Sequence, residues 1–480
     1  MDLEARKYDL TRKMAPFFDV HMVAPLLDYL RDSGLYDTKK VTVEKIAATS
    51  LTNMVELVED EYERLSGDEE MAREYASKKA QMERRKEEIF AQIDNEPEAV
   101  KRVAAFFANE ETISALKSSS ELTLDTLASQ FHITSADLES YVSFGKFKYE
   151  CGMYHDCEEM LSHYLSISPS SQGPGIGGRG GSQAYLSALW GRLACRIVQA
   201  NWESSRDDLK AVRAAIESKA AAALSAVDQL RSRAWLLHWG LFVLLNQRDG
   251  MDLLVDLFQD KAYLSTLENL CPWMLRYYAV AAVLSSKRRS LTRDLLQEIQ
   301  LISYLYSDPL TQFIEALYDA FDFDLAQQRL KDCHAVMKTD FFLAIFADKF
   351  MDEGRALICE LYCTVHRRVD LALLASKLEL SEEEAERWMV SMVRSAAASS
   401  ASSSSSSSSS ILALDARIDS AGKQVLMSQP QRSAHQQVAD RTRDLTVRTG
   451  LLGNNIEALL AEQGAYVRSL QYTPTGTSSF

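Results

Sequence analysis

Proline is scarce in this chain, with 9 in 480 residues against a usual share of ~5%. Proline breaks helices and sheet ladders, so long uninterrupted elements are allowed. The 7 cysteines are odd in number and contain no CxxC pair. That does not resemble a disulfide framework and fits a reducing compartment. No run approaches the ~18 uncharged apolar residues that span a membrane, and Met1 to Lys7 lacks the apolar core of a signal peptide. The expected setting is cytoplasmic or nuclear, with no membrane partner. Positive charge is also short: 53 Lys and Arg against 68 Asp and Glu leave −15. Such a sheath repels phosphate and disfavours a dedicated nucleic-acid binder, while leaving room for a local basic face.

What is present is apolar material, 46% of residues, enough for a large core. The length prior allows roughly three domains or one long repeat array. Nearly all apolar spacing is helical. Phe17, Phe18, Met22, Leu26, Leu27 and Leu30 open the pattern, and Pro16 and Pro25 interrupt it, so two helical pieces are expected. Residues 68–93 predict a solvated spacer helix laced with ion pairs, its thin stripe being Met71, Tyr75, Met82, Ile89 and Ile93. From about 100 to 350 the chain reads as stacked helical hairpins. Three stretches share one design, a turn carrying an aromatic that leads into an acidic amphipathic helix. They are Cys151-Gly152-Met153-Tyr154, Ala200-Asn201-Trp202 and Phe321-Asp322-Phe323-Asp324. The aromatic is expected to wedge between the paired helices, as in tetratricopeptide-type repeats. Arrays of this kind present long concave binding surfaces.

Residues 1–350 thus read as a right-handed α-solenoid of helical hairpins, with a Gly-rich insert at 172–182. Residues 351–428 change character. A helix over 354–369 precedes one carrying Leu371, Leu374, Ala375 and Leu378. Ser381 and Glu384 then form a capping box for a third helix, which buries Ala385, Trp388, Met389, Met392 and Val393. After a Ser-rich insert at 395–410 come the alternating Leu412, Leu414, Ala416 and Ile418, a turn over 419–422, and Val425-Leu426-Met427. Three helices and a β-hairpin make a winged helix. Residues 429–480 form a C-terminal helix and tail, with Val438, Leu445, Leu452, Leu459 and Tyr466 at a seven-residue period and Ile456 beside them. A lone helix weakened by Gly450, Gly453 and Gly464 needs a partner surface. Val438, Leu445, Leu452, Ile456 and Leu459 are therefore the candidate partner interface.

No catalytic, cofactor or metal site is expected. Gly175 to Gly180 matches GxGxxG but follows a helical repeat, so it reads as flexible insert rather than nucleotide fingerprint. No P-loop, HExxH pair or GxSxG elbow occurs. His155, Asp156 and Cys157 are consecutive and cannot converge on one point from a helix. Cys359, Cys363 and His366 have helical spacing for metal ligands, but packed thiols fit better. Glu382, Glu383, Glu384 and Glu386 occupy the end of the third helix that a DNA reader would insert into the groove, and Arg367 and Arg368 are a small basic pair. This favours an assembly device over base readout.

A helical array, a winged helix and a terminal helix together resemble PCI-domain proteins. These build the proteasome lid, the COP9 signalosome and eukaryotic translation initiation factor 3. Particular residues resemble the family of E subunits of that initiation factor. They begin with Tyr8-Asp9-Leu10-Thr11, His21, Pro25-Leu26-Leu27 and Thr52-Asn53-Met54-Val55. Leu189-Trp190-Gly191, Leu193-Ala194, Trp235-Leu236 and His238-Trp239 follow, then Cys271-Pro272, Leu275-Arg276-Tyr277, Asp308-Pro309 and Phe321 to Asp324. Glu382 to Trp388, Ala416, Ile418-Asp419-Ser420, Gln436-Gln437-Val438 and Asn455-Ile456-Glu457 complete the match. The two inserts, residues 70–120 and the chain beyond 461 depart from the pattern. The resemblance implies a non-enzymatic scaffold without cofactor or small-molecule substrate. It implies neighbours among the c, d and l subunits and the MPN-domain subunits, and the small (40S) ribosomal subunit within 43S and 48S preinitiation complexes. Two other readings stand beside it: a PCI subunit of the lid or signalosome, and a stand-alone winged-helix nucleic-acid binder.

Overall fold

Pro16 breaks the first helical stretch. The helix Thr11–Met14 (α1) gives way to the 3-10 turn Ala15–Phe17, and Phe18 is extended. Asp19 then caps Val20–Asp32 (α2) by accepting the His21 N–H at 3.0 Å. Pro25, expected as a second break, lies inside α2. Its missing N–H removes one rung of a helix that packing on both sides holds straight through.

In this computed structural model the described residues are 6–65, 69–109, 124–167, 179–218, 225–285, 288–366, 368–378, 383–391, 415–419, 424–428 and 434–471, with single positions between them. The chain is mainly helical. After α2 come Thr38–Thr49 (α3), Val55–Arg64 (α4), Glu69–Asp94 (α5), Glu98–Phe107 (α6), Leu124–Phe131 (α7) and Ser135–Glu150 (α8). Tyr154–Ile167 (α9), Arg179–Val198 (α10), Trp202–Glu217 (α11), Ala226–Leu245 (α12) and Gly250–Gln259 (α13) follow. Lys261–Leu270 (α14), Leu275–Leu284 (α15), Arg288–Ile302 (α16), Pro309–Tyr318 (α17), Phe323–Thr339 (α18) and Ala347–Val365 (α19) complete the array. Each helix packs chiefly on its neighbours in sequence, as α8 on α9, α9 on α10 and α17 on α18. One apolar cluster runs from Leu10 to Ile358. A second joins α6 to α9 through Val103, Phe107, Tyr141 and Met160.

The three aromatic turns share one backbone device. Gly152 (φ +86°), Ala200 (φ +57°) and Phe321 (φ +52°) are left-handed, each two residues before the first residue of the next helix. Reversing the chain there lets the Met153 N–H reach the Lys148 carbonyl and the Asn201 N–H reach that of Arg196, both at 2.9 Å. Tyr154, Trp202 and Phe323 follow directly and pack against the main core. At the third turn two aromatics divide the work: Phe321 is exposed, and Phe323 meets Tyr362 edge-on at 5.2 Å. A fourth left-handed turn, His132 (φ +54°), precedes the Thr134–Asp137 capping box of α8. It escapes the aromatic signature because no aromatic follows it.

The spacer α5 is mostly exposed. Met71, Tyr75 and Met82 lean on Ile46, Val58, Tyr62 and Leu65, and Lys78–Glu74 and Lys86–Glu56 pair at 2.6 and 2.8 Å. Of the expected Gly-rich insert, Arg179, Gly180 and Gly181 are helical and open α10. Residues 168–178 and the Ser-rich 395–410 lie outside the described residues.

The C-terminal part departs from expectation in one element. α19 ends at Val365, not 369, and Arg368–Asp370 (β1) is a strand. Val369 is buried and pairs with buried Val425, which draws these residues out of the helix. Leu371–Leu378 (α20) and residues 383–391 (α21) are helical. Asp415–Asp419 (β2) and Gln424–Ser428 (β3) complete an antiparallel sheet in the order β1-β3-β2, with Ile418 opposite Val425. α19 runs unbroken through residue 350. Ala434–Gln471 (α22) is one helix of 38 residues.

Candidate interaction surfaces

The chemistry-bearing clusters disperse. On α9, His155 is exposed, Asp156 turns to Lys148 at 3.3 Å, and Cys157 is buried in the core. Cys359 and Cys363 face each other on α19 with sulfurs 3.8 Å apart, both buried. The neighbouring Cys363 thiol and burial push the Cys359 thiol up, which makes it a poor nucleophile. His366 lies past the helix end, exposed, against the Tyr362 ring at 4.4 Å. Among the described residues no third ligand joins the two thiols.

The capping box of α21 forms as its spacing requires. The Glu384 N–H donates to Ser381 Oγ at 3.3 Å, and the Ser381 hydroxyl donates to Glu384 at 2.8 Å. The Ser381 hydroxyl and the Ser381 N–H, which donates to the same carboxylate at 3.1 Å, hold the Glu384 carboxyl below the usual range. Glu383 is exposed beside Arg387 at 3.3 Å. The amino end of α21 is thus anionic at neutral pH. Ala385 and Met389 are buried and Trp388 is half-buried. Met392, Val393, Arg367 and Glu382 lie outside the described residues, and Arg368 is exposed on β1.

α22 carries the expected stripe into solvent. Val438, Leu445, Leu452, Ile456 and Leu459 are 53–63% exposed, and Leu451 and Leu460 flank them. Thr442 and Thr449 lie between these rungs. Their hydroxyls bond back to the Val438 and Leu445 carbonyls at 2.7 and 2.8 Å. Those polar atoms are satisfied within the helix, so the two positions offer methyl groups to the stripe. The Gly450 and Gly453 positions open on space. Scattered exposed apolar residues are ordinary; here several share one helix.

One centre was not read as functional from the sequence. Arg276 on α15 is fully buried. It donates to Asp308 at 2.9 Å, to Asp340 at 3.1 Å and to the Tyr8 carbonyl at 2.7 Å. The Tyr306 hydroxyl donates to Asp308 at 2.8 Å, and that of Tyr277 to Asp340 at 3.0 Å. Leu275-Arg276-Tyr277 and Asp308-Pro309 stand among the resemblance residues, but no periodicity joins them.

The comparisons bear on this architecture as a whole. Residues 9–148 match the family model described as "eIF3 subunit 6 N terminal domain". A protein of Yarrowia lipolytica, named as the E subunit of eukaryotic translation initiation factor 3, is 31% identical over 455 residues, 93% of this chain and 99% of the relative. Its namesake in Arabidopsis thaliana is 30% identical over 467 residues, 95% of this chain and 98% of that one. The Sclerotinia sclerotiorum protein of the same name is 32% identical over 455 residues, 93% of each. The similarity thus runs through the array, the three-stranded module and most of α22, and the chain belongs to the family of E subunits of eukaryotic translation initiation factor 3.

Proposed function

We propose that this chain is a non-catalytic scaffold subunit of eukaryotic translation initiation factor 3. The observation that carries the reading is end-to-end similarity to proteins of that name, with 93% or more of this chain aligned. The physical features agree with it. The candidate catalytic and metal residues point apart or lie buried. Residues 1–350 act as an α-solenoid, and 351–428, with its sheet and acidic α21, as the winged helix of a PCI domain. Its β2 edge is the surface through which one such module pairs with a neighbour's.

The tail from 429 supplies the second contact. Val438, Leu445, Leu452, Ile456 and Leu459 bury their stripe against helices of other subunits. The expected neighbours are the c, d and l subunits and the MPN-domain subunits. The assembly works in the cytoplasm on the small ribosomal subunit, in forming preinitiation complexes and recruiting mRNA.

Affinity purification of the tagged chain from cytosolic extract, followed by gradient sedimentation, tests this. PCI and MPN subunits and the small ribosomal subunit should travel with it. Proteasome or cullin components in their place would refute it. The double variant Leu452→Glu/Leu459→Glu should leave the complex while the melting of residues 1–428 stays unchanged. Normal co-sedimentation of that variant would refute the assignment of the tail.

A further inference from the structure

Helical-hairpin arrays bind ligands on the face their units share, yet here the chain covers such a face with its own beginning. The Tyr8 carbonyl accepts from Arg276 of α15 at 2.7 Å. Met14 sulfur accepts the Tyr277 hydroxyl at 3.3 Å, and the Phe17 carbonyl accepts the Trp239 indole N–H of α12 at 3.0 Å. The Phe17 ring stacks on His238 at 4.3 Å and 6°. Phe18 meets Phe242 at 5.3 Å and Phe342 at 6.0 Å. Asp19 accepts the Tyr149 hydroxyl of α8 at 2.9 Å. Leu10, Met14, Phe18, Met22 and Leu26 all belong to the main core.

α2 is held along both edges. On one side Lys45 of α3 reaches Asp28 at 2.7 Å and Glu61 of α4 at 2.7 Å, while Arg31 pairs with Asp28 at 2.7 Å. On the other the Tyr29 hydroxyl donates to the Lys338 carbonyl of α18 at 2.8 Å, and its ring meets Phe341 at 5.7 Å. The early helices α3 and α4 and the late turn after α18 therefore touch the same short segment.

We propose that residues 8–29 are an intrachain clasp. They occupy the face shared by α8, α12, α15 and the 338–342 turn, and they couple the two ends of the array. The amino-terminal matched region is then not a separable module: its first residues are core to helices more than two hundred positions away. A ligand that needs this face must first lift the clasp.

Hydrogen exchange on the full chain tests the coupling. In Phe17→Ala/Phe18→Ala, amides of 234–245 and 336–343 should exchange at least tenfold faster, while α6, whose core cluster contains no residue of 8–29, keeps its rate. Acceleration confined to residues 6–32 would overturn the proposal. Should that variant fail to fold, Trp239→Phe decides. It removes one N–H from the receiving side and keeps a ring there. Faster exchange across residues 14–22 is expected, and an unchanged rate would overturn the clasp.

Discussion

Arg276 shares its donors among three parts of the chain that are distant in sequence: Tyr8, Asp308 and Asp340. Asp308 also caps α17 by accepting the Thr311 N–H at 2.8 Å, so a helix start and a buried ion cluster are one structure. Burial raises the Asp340 carboxyl, and the guanidinium only partly opposes it. Arg276→Met would leave two carboxylates buried without their cation. The expected cost is about 3–5 kcal/mol, read from the urea midpoint. His238 has a different liability. Its Nδ1 lies 2.7 Å from the Ala234 carbonyl, and its Nε2 accepts the Trp273 indole at 3.1 Å. That geometry fixes a neutral ring, and burial lowers its pKa to about 4. The unfolded chain takes up that proton near pH 6.5. Stability should therefore fall by about 3 kcal/mol as pH drops from 6.5 to 4, and His238→Phe should remove that slope from denaturant titrations. Ala200 carries strain of a third kind, since a left-handed φ disfavours any side chain. Ala200→Gly should raise the thermal midpoint, by a gain of up to about 1 kcal/mol.

At the scale of elements, the turn between α12 and α13 has no room for a side chain at Gly250. A Cβ on Gly250 would stand 1.6 Å from the Leu244 carbonyl oxygen. Backbone cannot yield as a side-chain tip does, so Gly250→Ala should cost about 1–3 kcal/mol in denaturant melts. Local signals predicted elements well where the cause is local. The Ser381–Glu384 box, the aromatic turns and the start of α2 past Pro16 all depend on atoms within a few residues. β1 was missed for the opposite reason. Three residues carry no readable alternation, and Val369 becomes strand only by meeting Val425. Pro25 misled similarly, because neighbours on both edges of α2 outweigh one lost backbone bond.

Across the whole molecule, the mainly helical class and the exposed stripe of α22 were legible, since both are periodic properties of single segments. The Arg276 centre and the clasp were not. Their pairings join Tyr8 to Arg276, Phe17 to Trp239 and Tyr29 to Lys338, and no spacing rule spans such distances. The same separation sets an order of events during synthesis. Residues 8–29 are made early, and Phe342 follows more than three hundred residues later. At ~5–20 residues per second that interval is roughly 15–65 s. Through it Leu10, Met14, Phe18, Met22 and Leu26 lack part of their final neighbours. A segment made long before its last partner is thus seated late, and each growing chain carries an apolar stretch that must be kept from wrong partners. Protease added to stalled nascent chains should cut within residues 8–29 until about residue 345 has emerged, and spare them afterwards.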